Sequence, residues 1–345
     1  MRRSKYERPA HLVGNAERPR LTTSAMIASI AGPDQPTRPA PFGHALSALA
    51  ERDDRIVGLS ADLAKYTDLH VFRAAHPDRF YQMGMAEQLL MMSAAGMARE
   101  GLQPWATTYA VFASRRAYDF ICLAIAEEML DVKIVCALPG LTTGYGPSHQ
   151  ATEDIAMFRG MPNLTIVDPC DASEIEQAVP AIAAHPGPVY MRLLRGNVPL
   201  VLDEYGYRFE LGKAKLLRDG KDTLIVSSGL MTMRALEAAE ELRKNGVDAG
   251  VLHVPTIKPL DEATILAECA RQGRLVVVAE NHTVIGGLGE AVAASLMRSN
   301  ARPAAFRQIG LPDAFLEAGA LPTLHDMYGI STTKIVTRIK EWLDE

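Results

Sequence analysis

Cysteine is scarce in this chain of 345 residues: only Cys122, Cys136, Cys170 and Cys269 occur, widely separated and without a C-x-x-C pair. That excludes a disulfide framework and a structural zinc site, and it suits reduced thiols in a cytoplasmic protein. No apolar run approaches the roughly 20 residues that a membrane span needs. A large charge of one sign is also missing. Lys and Arg number 36 against 41 Asp and Glu, a net charge of −5, which offers no footing for nucleic acid or an anionic membrane. No repeat with a period of about 20–50 residues is visible, and no heptad pattern suggests a coiled coil.

What is present is ordinary globular material. Apolar residues make up 48% of the chain, and the length predicts about two domains. Residues 1–36 differ from the rest. Arg2, Arg3, Lys5, Arg8, Arg18 and Arg20 outnumber Glu7 and Glu17, no apolar face persists, and prolines 33, 36, 39 and 41 follow. A basic, flexible extension is expected there, with ordering against a partner chain as the alternative. From residue 42 onward helical and strand patterns alternate. Arg55–Ser60 and Val132–Leu138 read as buried strands and Ala86–Glu100 as a helix. Phe112–Met129 is expected to be one helix, Ala172–Ala184 another. This alternation is the signature of an α/β protein with a mostly parallel sheet. Gly196–Gly212 breaks the pattern and reads as a linker. The expected division is a first domain over 37–195, a linker over 196–212 and a second α/β domain over 213–345.

Four segments could carry chemistry. Glu87, in Met83-Gly84-Met85-Ala86-Glu87-Gln88, opens a helix whose dipole would stabilise an acid. Its methionine-rich setting also points to a buried carboxylate that needs a partner, which a heterocyclic nitrogen of a ligand would supply. Tyr109, Phe112, Arg115, Arg116 and Tyr118 put aromatic and basic groups together, either as ordinary core or as a wall for a planar polar ligand. Gly140–Gln150 (GLTTGYGPSHQ) is a loop after a strand, where α/β proteins bind ligands. Its His149 is either an idle surface group or a proton donor and hydroxyl ligand. Gly286-Gly287-Leu288-Gly289 looks like half a phosphate loop without its Lys-Ser/Thr, and tight strand-to-helix packing explains it better.

Taken together, GLSADL (58–63), MGMAEQ (83–88), YAVFASRRAYD (109–119), GPSHQATEDIAMFRGMPNLTIVDPCDA (146–172) and VYMRLLRGNVPLV (189–201) resemble the pyrimidine-binding domain of transketolases. VVVAENHTVIGGLGEAV (276–292) resembles the C-terminal domain of the same family. The resemblance runs in family order from about residue 38 to the end and is nearest to the second subunit of split transketolases. It implies two doubly wound α/β domains, a thiamine-diphosphate pyrimidine-binding domain followed by a transketolase C-terminal-like domain. By resemblance, Glu87 matches the glutamate that hydrogen-bonds the aminopyrimidine of thiamine diphosphate. Phe112 matches the ring that stacks on it, Tyr109 another wall, and Arg115 and Asp62 further cofactor neighbours. His149 matches a histidine that contacts substrate hydroxyls. Arg195 matches the arginine that holds the sugar phosphate, with Arg192 as a near alternative and Arg38 as a second phosphate ligand. No Gly-Asp-Gly occurs in the sequence. The resemblance therefore implies that a partner subunit bearing that motif supplies the diphosphate site and the magnesium ligands, with no metal ligand from this chain. The implied assembly holds two copies of each subunit, this chain pairing with itself as a dimer.

The sequence also departs from the family pattern. Tyr145 stands where classical transketolases carry an acidic residue that reads sugar stereochemistry, and Ala137 and its apolar neighbours stand where they carry a histidine. These departures suggest an unusual sugar phosphate, for instance a branched one. The alternative functions are the beta chain of a 2-oxo-acid dehydrogenase, a deoxyxylulose phosphate synthase, and a non-catalytic binding module that kept the fold.

Overall fold

A computed structural model describes residues 35–271 and 273–345; most of the basic extension expected over 1–36 lies outside them. Strand β1 (Thr37–Pro39) precedes β2 (Ile56–Ser60), β3 (Phe80–Gln82), β4 (Gln103–Tyr109), β5 (Lys133–Ala137), β6 (Thr165–Val167) and β7 (Val189–Leu193). After them come β8 (Asn197–Pro199), β9 (Lys215–Arg218), β10 (Thr223–Ser227), β11 (Ala249–His253), β12 (Thr256–Lys258), β13 (Leu275–Thr283) and β14 (Ala305–Leu311). The larger sheet has seven strands in the order β12-β6-β7-β5-β4-β2-β3, the smaller five in the order β14-β13-β10-β11-β9. Pairing is parallel except at β12 and β9, which run antiparallel to β6 and β11 at sheet edges.

The physical cause is legible in the strands. Every residue of β2, β4, β5 and β7 is buried, including polar side chains such as Gln103, Thr107, Lys133 and Arg192, so neither face of these strands meets water. That is what a parallel sheet covered by helices on both faces requires. The helix Glu87–Arg99 buries Leu90, Met91, Ala94 and Ala95 on one stripe and leaves Met85, just before it, and Leu89 and Met92 exposed.

Two features differ from the expected division. Residues 196–212 include β8, which pairs with β1, and a short 3-10 turn at Leu202–Tyr205. Strand β12, within the expected second domain, completes the first domain's sheet. Phe112–Met129 is not one helix. It breaks at Ala117 between Ala110–Arg116 and Tyr118–Ile121 and continues as a π-turn over Cys122–Ala126.

The two sheets are joined by buried polar clusters. Arg192 donates to Asp154, Asp168 and the carbonyl of Asn281, and the Ser228 hydroxyl also donates to Asp168. Glu174 accepts from the Tyr207 hydroxyl at 2.6 Å and lies 2.9 Å from His253 Nε2. Each buried charge is thereby partnered, without which burial would be prohibitive. No helix among the described residues is long and apolar enough to cross a membrane.

Candidate active site

The parallel register aligns the C-terminal ends of β2, β4, β5 and β7. Asp62 follows β2, Tyr109 closes β4, the 139–150 loop follows β5 and Arg195 follows β7. In open α/β sheets this edge is where ligands bind.

His149 sits among three aromatic rings. Its centroid lies 6.0 Å from Tyr109, 5.5 Å from Phe112 and 5.4 Å from Tyr145, and Ser148 Oγ is 2.9 Å from Nδ1. Burial against these rings, helped by the positive charge of Arg116, holds its pKa below the ordinary histidine value. The imidazole is therefore neutral near pH 7 and able to accept or donate a proton.

Glu87 is buried at the start of its helix. The expectation was a ligand nitrogen as its partner; within the chain that partner is Arg116, whose Nη1 donates to Oε1 at 3.1 Å. The same guanidinium lies over the Phe112 ring, 3.9 Å from its centroid. Residues i and i+4 share a helix face, which is why Phe112 and Arg116 meet. Arg115 takes the other side. It pairs with Glu153 and donates to the carbonyl of Pro147 at 2.8 Å, bracing the loop that carries His149.

Arg195 is the cation at the opposite rim. Its guanidinium carbon is 5.6 Å from the centre of the Tyr66 ring, and its buried Nε has no hydrogen-bond partner. Tyr109 also feels the charge of Arg195, which works against the effect of burial on its hydroxyl. The next residue is clamped: both carboxylate oxygens of Asp68 accept from Gly196 N at 3.1 Å, and Ala40 N donates to Gly196 O at 2.7 Å. Burial raises the Asp68 carboxyl to about 6, against the pull of Gly196 N–H and Arg195.

The other expected residues are placed apart. Arg192, expected as an alternative substrate ligand, is buried and engaged with Asp154 and Asp168. Arg38, on β1, pairs with Glu176 of the helix Ala172–Ala184. Asp62 is exposed, with its N–H donating to Gln82 Oε1 at 2.7 Å. Ala137 is fully buried at the end of β5. Tyr66 and Asp68 also border this edge and were not among the expected residues, whereas Arg116 belongs to the aromatic and basic segment that was.

The Gly286–Gly289 segment also finds its reason. Leu288 N and Gly289 N donate to the Glu280 carboxylate at 2.7 and 3.0 Å. A Cβ on Gly287 would fall 1.9 Å from Glu280 Oε2. The glycines thus admit an internal carboxylate to a helix N-terminus. Burial outweighs those hydrogen bonds and nearby arginines, and pushes Glu280 up to about 7. Among the described residues, no group of three His, Cys, Asp or Glu side chains is placed to hold a metal ion.

Comparison with known proteins agrees with this architecture. Residues 35–201 match the transketolase pyrimidine binding domain and residues 212–335 the transketolase C-terminal domain. The chain is 95% identical, over the full length of both, to a transketolase family protein of Sinorhizobium fredii (strain NBRC 101917 / NGR234). It is 41% identical, over 85% of itself and 90% of the relative, to the 6-deoxy-6-sulfo-D-fructose transketolase subunit SqwH of Clostridium sp. (strain MSTE9). Among solved structures it is similar to a split gene transketolase described as an inactive beta4 tetramer. The TM-score is 0.80 and the identity 40%, over 88% of this chain and 97% of that one. With both of its α/β domains matched in family order, this chain belongs to the transketolase family.

Proposed function

We propose that the chain is the pyrimidine-binding subunit of a thiamine-diphosphate-dependent ketol transferase, moving a two-carbon unit between sugar phosphates and working with a second polypeptide. The observation that carries this reading is the arrangement of Glu87, Arg116 and Phe112. The Arg116 guanidinium is a flat, nitrogen-rich group that stacks on Phe112 and donates an N–H to the buried Glu87 carboxylate. An aminopyrimidine makes the same two demands, a stacking face and an acceptor for ring N–H, so the residues present fit it.

In this reading Glu87 and Phe112 hold the pyrimidine, Tyr109 forms an adjoining wall, and Asp62 lies at the rim where the partner docks. Thiamine diphosphate, when bound, supplies the nucleophilic carbon of the transfer. His149 accepts or donates a proton at a sugar hydroxyl, and Arg195 with its free Nε meets the anionic end of the sugar. Arg38, paired with Glu176, contributes there only if it leaves that partner. Tyr145 presents a bulky ring beside His149, which supports an unusual, for instance branched, sugar. The relative named for a sulfonated fructose makes a sulfonate a second candidate for the Arg195 end. The partner subunit, carrying Gly-Asp-Gly, brings the diphosphate and magnesium ligands.

The test is reconstitution. The purified chain is mixed with an N-terminal-half transketolase subunit, thiamine diphosphate and magnesium, and ketol transfer is measured from linear, branched and sulfonated ketoses. Transfer that requires both chains is expected. Absence of transfer from every donor, despite formation of the complex, overturns the assignment. A clear preference for xylulose 5-phosphate with ordinary acceptors overturns the unusual-sugar part alone.

A further inference from the structure

The 139–150 loop carries both Tyr145 and His149, and Leu141 is its one aliphatic side chain seated in the core. Besides the bracing by Arg115, the loop is anchored by the second domain. Asn281 Oδ1 accepts from Leu141 N at 2.8 Å and Asn281 Nδ2 donates to Pro139 O at 3.3 Å. Gln150 Nε2 donates to Glu317 O at 3.1 Å, and Gly319 N to Gly144 O at 2.9 Å. The shortest of these anchors belongs to His325, on the helix Leu321–Met327. Its Nε2 lies 2.6 Å from the carbonyl oxygen of Leu141, while Arg234 Nη2 lies 2.7 Å from its Nδ1.

We propose that His325 is a positioning residue of the sugar-binding side of the site, locked by Arg234 into the tautomer that donates to Leu141 and so sets the loop bearing Tyr145 and His149.

The tautomer follows from the hydrogen-bond inventory. A guanidinium can only donate, so Nδ1 must accept; the ring proton is then on Nε2, which donates to the carbonyl. Burial, reinforced by the charge of Arg234, holds the His325 pKa down to about 4, so the ring stays neutral at physiological pH. Both polar groups of the Leu141 backbone are thus held by side chains of the second domain, His325 on the carbonyl and Asn281 on the N–H. A buried carbonyl that loses its donor is costly, and Leu141, whose side chain is fully buried in the core, is the residue whose carbonyl would lose it. Glu87 and Phe112 sit on other helices, so the effect falls on the sugar and not on the cofactor.

The catalytic consequence rests on the ketol-transfer reading, whereas the structural one does not, and two measurements separate them. The first is amide hydrogen exchange on the full-length chain, comparing His325→Leu and His325→Gln with the parent. Exchange within 139–150 is expected to rise by about tenfold or more in His325→Leu. It should rise less in His325→Gln, which keeps an N–H donor, and the segment 87–99 should not change. If His325→Leu does not fold, Arg234→Met serves in its place, since it removes the tautomer lock without touching the loop. Unchanged loop exchange in the folded variant overturns the proposal, as does faster exchange spread evenly over the second domain.

The second measurement uses the reconstituted pair. KM for the ketose should rise by about tenfold, with kcat and the affinity for thiamine diphosphate within a few-fold of the parent. A fall in kcat at unchanged KM overturns the positioning role. A parent pair without ketol transfer removes the functional reading and leaves the exchange result to decide the structural one.

Discussion

The two sides of the candidate site are built in different ways. The Glu87 side is local: Tyr109, Phe112 and Arg116 come from the end of β4 and the helix that follows it, and Glu87 opens the helix just before β4. The His149 side is borrowed. Its loop is held by Asn281, Glu317, Gly319 and His325, the last bond spanning 184 residues of sequence. Chemistry set by helix spacing is hard to disturb from a distance. Chemistry hung on a braced loop can be retuned from another domain, which makes it the natural place for sugar specificity to diverge.

Substitutions can break or sharpen that comparison. The largest effect is expected from Glu87→Gln, which keeps the shape and removes the charge. Turnover of the reconstituted pair should fall by roughly 10²–10³-fold with little change in Tm, and near-normal turnover would remove Glu87 from the chemistry.

Next is Gly140→Ala on the loop side. Gly140 has φ +59°, and a Cβ there would lie 2.1 Å from the backbone oxygen of Asn281. Chemical denaturation should register a loss of about 2–4 kcal/mol, and a cost below half of that would mean that the two domains yield easily at this contact.

Arg116→Met probes the local side. If Arg116 stands in for the aminopyrimidine, removing it should tighten thiamine diphosphate binding to the paired chains several-fold by calorimetry. Weaker binding would make Arg116 a direct ligand instead. The same substitution removes a positive charge that lowers the His149 pKa. The acid limb of the rate profile, expected below pH 6.5 in the parent, should therefore move upward.

A pH dependence concerns Glu280. Its folded pKa of about 7 exceeds the unfolded 4.5. Its contribution to stability is thus fully present below about pH 4.5 and is lost as pH rises through about 7. His282 and His325, held down to about 4 from 6.5, act in the opposite sense. Their contribution is present above pH 6.5 and is lost as pH falls toward 4. Glu280→Gln removes the first trend and leaves the second. Stability should then climb more steeply from about pH 5 to 7 than in the parent, by about 2–3 kcal/mol in all. Parallel curves would show that Glu280 does not titrate in this range.

Much of this was readable from local pattern. The stripe of Leu90, Met91, Ala94 and Ala95 lies where helical spacing put it, and the helix Ala172–Ala184 ends where expected. Long buried strands such as β4 declare themselves. Strand β14 was missed because Arg307 and Gln308 interrupt a half-buried run, and β12 because three residues carry no period. The Glu87–Arg116 pair was within reach, since a buried acid needs a cation, two arginines follow Phe112, and only Arg116 stands four residues after it on the helix Ala110–Arg116. The roles of Arg192 and His325 were beyond reach, because their partners lie on distant segments that only the fold brings together.

Strand β12 has a consequence for how this protein can be cut. A piece ending at the glycine after the first family domain would leave β6 as a bare margin, its backbone N–H and C=O groups open to any passing strand. The two halves are better regarded as one foldable unit than as beads on a string, and expression of the front half by itself should give clumped rather than dispersed material.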